Sequence, residues 1–153
     1  MIAKYEEQYY YYIKNKNNII TNFKEKTDEN FIKEDNLFYK HIDPEDLSEI
    51  FDVKFIIKYD TGLENISPFW EVGGLKNNKF LIRYSNGCLP GWTIEENNIC
   101  IKYIDSTKIE EMKEIKTYTK KDNILLNEPL VEEIIIKSEN YISEFLLYDR
   151  KNL

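Results

Sequence analysis

Apolar residues near the N-terminus recur at three- and four-residue steps. Tyr5, Tyr9, Tyr12, Ile13, Ile20 and Phe23 predict an amphipathic helix over 3–24, which takes only part of the run Tyr9-Tyr10-Tyr11-Tyr12 inward. Phe31, Ile32, Leu37, Phe38 and Ile42 fit either a second helix or an extended segment. Asp43-Pro44-Glu45-Asp46 reads as a helix start. Asp43 can cap free amides, Pro44 suits the first helical position, and the two acids complement the helix dipole. That helix is expected to reach about Phe51. Val53, Phe55, Ile57 and Tyr59 then alternate with Lys54 and Lys58, which predicts a strand. Further strands are expected at 69–75 and 79–85, and on either side of the loop Glu95-Glu96-Asn97-Asn98. Thr107-Lys108-Ile109-Glu110 fits a capping box and predicts a helix over 108–117 with Ile109, Met112 and Ile115 inward. The stretch 129–148 has two readings, of which a hairpin is favoured over a helix because Ile134, Ile135 and Ile136 are β-branched.

All five glycines, both tryptophans and both cysteines lie between Gly62 and Cys100. Glycine punctuates strands and tryptophan supplies large buried area, so this stretch reads as a compact antiparallel sheet. The whole predicts an α+β fold: one domain over 1–153, with a mostly antiparallel sheet of five to seven strands. The N-terminal helix and the 108–117 helix are expected to pack on one face of that sheet. The competing architecture is more helical, with the C-terminal third as one long helix.

Composition changes the picture in three ways. The 153 residues include 19 Lys against 2 Arg, 22 Ile, 16 Asn and a single Ala, a bias towards residues with A/T-rich codons that also accounts for the 12 tyrosines. No apolar run approaches the roughly 20 residues needed to cross a bilayer. Residues 1–7 carry no apolar signal core, so a cytoplasmic protein with no membrane partner is expected. The net charge of −7 divides as −4 over residues 1–60, zero over 61–104 and −3 over 105–153. Such a balance disfavours nucleic acid and favours basic protein partners.

Candidate chemistry is sparse. Histidine occurs once, at His41, which excludes a multi-histidine metal site, and neither metal nor cofactor is expected. Cys88 with His41 is the one Cys–His pair available to a small enzyme, and Glu64 with Glu71 is a possible carboxylate pair. Gly73-Gly74 lacks the spacing of a phosphate-binding loop and reads as a bulge. The two cysteines are expected to be free thiols. One cluster stands out: Asp43, Glu45, Asp46, Glu49 and Asp52 place five acids within ten residues, with no lysine among them. On a helix Glu45 and Glu49 share a face, which suggests a docking surface for a basic partner. Glu110, Glu111 and Glu114 form a second candidate surface on the later helix.

A small, acidic, compact, motif-poor α+β chain resembles the bacterial immunity proteins that neutralise polymorphic or contact-dependent toxins. The resemblance is one of character, spans the whole chain and carries over no family residue. It implies a protein that binds one cognate toxin domain, with a basic surface, and blocks it. The alternatives are a phage or mobile-element accessory protein binding a host factor, and the small enzyme named above.

Overall fold

The structure is a computed structural model that describes residues 1–148. The described chain is built from strands: β1 (Ile2–Tyr5), β2 (Gln8–Ile13), β3 (Asn18–Thr21), β4 (Ile32–Glu34), β5 (Leu37–His41), β6 (Glu49–Lys58), β7 (Phe69–Glu71), β8 (Gly74–Lys76), β9 (Lys79–Tyr84), β10 (Thr93–Glu96), β11 (Ile99–Asp105), β12 (Glu111–Lys121) and β13 (Ile124–Ile136). The α-helix described is α1 (Tyr141–Leu146), with short 3-10 turns at Lys24–Lys26, Pro44–Asp46, Ser106–Lys108 and Ser138–Asn140. One sheet runs β13-β12-β6-β1-β2-β3-β5-β4 with β7 also on β6, and a second runs β10-β11-β9-β8.

This corrects the α+β expectation. The predicted helix over 3–24 is instead β1, β2 and β3, with Ile2 opposite Tyr11 and Tyr11 opposite Ile20. The helix expected from Pro44 stops after one 3-10 turn and the chain enters β6. The 108–117 helix is β12, whose side chains alternate strictly between buried and half-buried. Residues 129–148 are neither a hairpin nor one helix: β13 ends at Ile136 and α1 follows the Ser138–Asn140 turn.

Tight turns explain how short strands follow one another. Glu6 and Glu7, Asn77 and Asn78, and Asp122 and Asn123 all have positive φ. Two consecutive positive-φ residues are what a type I′ hairpin requires, because its twist matches that of the flanking strands. These pairs join β1 to β2, β8 to β9 and β12 to β13.

The chain divides into two compact units. Unit 1 holds Met1–Val53, Lys116–Glu132 and, of the described residues, 146–148. Its core packs Ala3, Tyr10, Tyr12, Ile19, Ile42, Leu47 and Ile50, with Met1, Tyr5 and Phe31 against it. Unit 2 holds Lys54–Ile115 and Glu133–Phe145. Phe145 of α1 lies 5.3 Å from Phe55 and 5.7 Å from Phe80, ring centre to ring centre. Trp70 is buried, donates its indole N–H to Tyr59 O at 3.0 Å, and meets the half-buried Trp92 at 5.2 Å.

Two expectations follow. Trp70→Ala removes a buried ring from unit 2 and leaves Tyr59 O without that donor, so it should cost about 3–5 kcal/mol in urea unfolding. A loss under about 1 kcal/mol would mean that the site is far looser than the ring contacts imply. The second concerns Tyr10, whose hydroxyl donates to Lys26 O at 2.9 Å. Burial, aided by Glu6 and Asp28, pushes it up from 10.0 to about 12. The folded state then holds this proton where the unfolded chain has lost it. The associated stability is intact below pH 10.0 and is lost as pH rises through about 12. Spectrophotometric titration should find a late-ionising tyrosine that is absent from Tyr10→Phe.

Candidate protein-docking surface

The acidic turn lies in unit 1 and is anchored at both ends by buried apolar side chains, Ile42 and Leu47. Asp43 is extended and accepts the Glu45 N–H at 3.0 Å. Asp46 N–H reaches Asp43 O at 2.9 Å and Leu47 N–H reaches Pro44 O at 3.2 Å. A lysine from β12 completes the turn: Lys120 donates from Nζ to Pro44 O at 3.0 Å and to Glu45 O at 3.4 Å. Its ammonium is therefore buried against main-chain oxygens, while the Glu45 and Asp46 side chains remain exposed.

Beside this turn lies a groove of about 480 Å³ lined by Pro44, Glu45, Ile50, Lys120, Asn123 and Leu125. Asn123 N–H binds Ser48 O at 3.0 Å, which ties the β12–β13 turn to the start of β6. From there β13 presents apolar side chains to solvent: Ile124 is 64% exposed and Leu125 75%, with Leu130 and Val131 also exposed. Sheet order places β13 as a terminal strand. An apolar edge of this length is a template for pairing with another chain. The arrangement offers a groove floor, an apolar wall and exposed carboxylates at the rim.

The other expected acids fall elsewhere. Glu49 is half-buried, and its Oε2 is buried without a hydrogen-bond partner. Its charge helps raise the affinity of Lys4 and Lys121 for their protons, after the larger contributions of Glu7 to Lys4 and Glu132 to Lys121. Because no helix follows Pro44, Glu45 and Glu49 do not share a helical face. Asp52 is exposed on β6, with Oδ1 3.6 Å from Met1 N. In unit 2, Glu110 is exposed 3.4 Å from Lys58, Glu111 is half-buried 3.8 Å from Lys113, and Glu114 is buried. The last two are an odd number of positions apart on β12 and point to opposite faces, so the expected second acidic surface does not form.

The structure places each candidate catalytic group within its own unit. His41 is exposed at the end of β5 in unit 1. Cys88 is exposed in a loop of unit 2, and Cys100 is buried on β11. Glu64 is exposed in a loop, whereas Glu71 lines a groove of about 360 Å³ with Val72, Gly73 and Arg83. Arg83 is held by Glu95 through two hydrogen bonds, of 2.9 and 3.2 Å. Among the described residues no three His, Cys, Asp or Glu side chains gather to hold a metal ion.

Sequence reasoning missed Lys120, Ile50, Asn123 and Leu125 as members of the site. The available signal was the Asp122-Asn123 pair, a turn dipeptide placed directly before the apolar run Ile124-Leu125-Leu126.

Replacing Lys120 by methionine keeps the buried stem but removes the donors to two carbonyls. The expected loss is about 1–3 kcal/mol in urea unfolding, with a matching rise in protease cleavage near the turn. A variant as stable as the parent would show that the turn's own hydrogen bonds suffice. No protein-family model, no curated protein and no solved structure matches this chain.

Proposed function

We propose that this chain is a toxin-immunity protein, binding a basic toxin domain and blocking its active surface. One observation carries the reading: the exposed carboxylates of Glu45 and Asp46 stand on a turn fixed by Lys120, beside the groove and the exposed apolar residues Ile124 and Leu125. Interfaces that combine an apolar centre with a charged rim gain affinity from the first and association rate from the second. A partner with a substrate cleft for phosphates, such as a nuclease, has the complementary potential. The carboxylates would then occupy the place of substrate charge. The net charge of −7 works in the same direction at longer range.

The test is genetic and biochemical. The reading expects a gene for a toxin domain beside that of this chain; co-expression with that domain should restore growth, and the two purified proteins should bind. Absence of both rescue and binding removes the reading.

The structure narrows which acids to alter. Asp43 holds the turn and Glu49 is half-buried, so the informative variant is Glu45→Lys with Asp46→Lys. Its stability should stay within about 0.5 kcal/mol of the parent, as for other exposed positions. Association with the basic partner at low salt should slow by about tenfold or more, and its salt dependence should weaken. Stopped-flow rates equal to those of the parent would mean that the turn is only solvated charge.

A further inference from the structure

Cys88 and Cys100 are separated by strand β10 in sequence, but the loop carrying Cys88 wraps around the Cys100 thiol. Leu89 N–H donates to Cys100 Sγ at 3.3 Å, and the Cys100 thiol donates to Gly87 O at 3.5 Å. The two backbone atoms in contact with this sulfur thus belong to the residues on either side of Cys88. Standard peptide dimensions then hold the Cys88 Cα within roughly 6 Å of the Cys100 sulfur. Bridged cysteines have Cα atoms about 5.5–6 Å apart and Cβ atoms about 3.8 Å apart, so pairing requires the exposed Cys88 side chain to turn towards that nearby sulfur.

The two thiols differ in access. Cys88 is exposed and Cys100 is fully buried. Two glycines of the Cys88 loop leave open space around its backbone. Gly87 has φ +121 and Gly91 φ +81, and a Cβ built on either meets nothing within 4 Å. A rotation that brings the Cys88 side chain inward works against the two weak contacts to sulfur and the backbone hydrogen bonds Gly87 N–H to Asn98 O at 3.1 Å and Trp92 N–H to Leu89 O at 3.2 Å.

We infer that Cys88 is a site of oxidation by peroxides and that Cys100 resolves it into an internal disulfide. In the first step the Cys88 sulfur, its proton leaving to solvent, attacks one oxygen of hydrogen peroxide. The O–O bond breaks, Cys88 becomes a sulfenic acid, and the peroxide is reduced to water. In the second step the Cys100 sulfur attacks the Cys88 sulfur. The S–S bond forms, the S–O bond breaks, and the departing hydroxide leaves as water with the Cys100 proton. Two thiols and one peroxide give one disulfide and two waters. The bond fixes the loop that ends at Trp92, whose ring packs on Trp70, so oxidation also alters the environment of both indoles.

The experiment is peroxide titration of the reduced, full-length protein, followed by non-reducing peptide mapping. The expected product has lost two hydrogen atoms, links the Cys88 and Cys100 peptides within one chain, and reverts with dithiothreitol. Tryptophan fluorescence should change and recover in step. Cys100→Ser should let dimedone trap the sulfenic acid at Cys88, and Cys88→Ser should leave Cys100 reduced under the same treatment. Three outcomes overturn the inference: a disulfide between two chains through Cys88, over-oxidised Cys88 with Cys100 still reduced, or thiols that survive a dose which oxidises the same protein in urea. Mapping of the parent protein decides the matter even where a variant at the buried Cys100 fails to fold.

Discussion

Unit 1 depends on lysines taken out of water and given partners. An ammonium moved from water into an apolar interior is costly unless oxygens or ring faces replace its hydration. Lys116, on the inward side of β12, sits 4.9 Å from the Phe51 ring centre and 5.3 Å from that of Tyr148. Tyr9 at 5.7 Å and Tyr118 at 6.0 Å complete the surround. Lys120, four residues along the same strand, spends its charge on the carbonyls of the acidic turn. The device recurs at Lys40, which reaches Tyr5 Oη at 3.2 Å and Asp28 at 3.3 Å. Burial there works against the charged form, but the hydrogen bonds to Tyr5 and Asp28 outweigh it and raise the proton affinity. The abundance of tyrosine thus acquires a structural use in addition to its codon bias: rings accept cations that a purely aliphatic core would expel.

The same device hid the fold from sequence reasoning. The inward face of β12 reads Met112, Glu114, Lys116, Tyr118, Lys120, and three of those five are charged. Counting hydrophobic residues finds no period of two there, and the coincidental spacing of Ile109, Met112 and Ile115 imitates a helix instead. At the N-terminus the cause is different. Strands of four to six residues joined by turns of two and four residues bring apolar residues back at irregular steps, and four consecutive tyrosines give no alternation to detect. The turn itself, Glu6-Glu7, is built from residues that do not favour positive φ, whereas Asn77-Asn78 announces its hairpin. Glycine, asparagine and tryptophan punctuate the centre and made its strands at 79–84, 93–96 and 99–105 legible, but the single strand expected at 69–75 is β7 and β8, which pair in different sheets. Within the site, Asp43 as a cap and the exposure of Glu45 and Asp46 could be read from the sequence. What followed could not, because capping chemistry starts a 3-10 turn as readily as a helix. The buried Leu47, Ile50 and Phe51 then draw the chain into β6.

The terminal strand supplies the last constraint on what can dock. A long apolar edge invites pairing with any extended segment, so its other residues decide which partner is tolerated. Pro129 removes one backbone donor midway along β13, and Glu128 and Glu132 place acids on either side of it. Two copies of the strand aligned antiparallel over their full length would set Glu128 opposite Glu132 twice, which is unfavourable for directly facing charges. A strand with lysine or arginine at those places meets the same positions with attraction. Specificity is a difference of affinities, and one pair of glutamates that would face its own copy disfavours self-pairing, which on the proposed reading leaves a cationic segment favoured. Lys121 already engages Glu132 within the chain, so the exposed Glu128 is the acid through which a basic partner strand would be distinguished from a neutral one. On the proposed reading, the acidic turn beside the groove favours the same sign of charge. The facing glutamates thus weigh against that full-length self-pairing even though the apolar side chains of β13 are exposed.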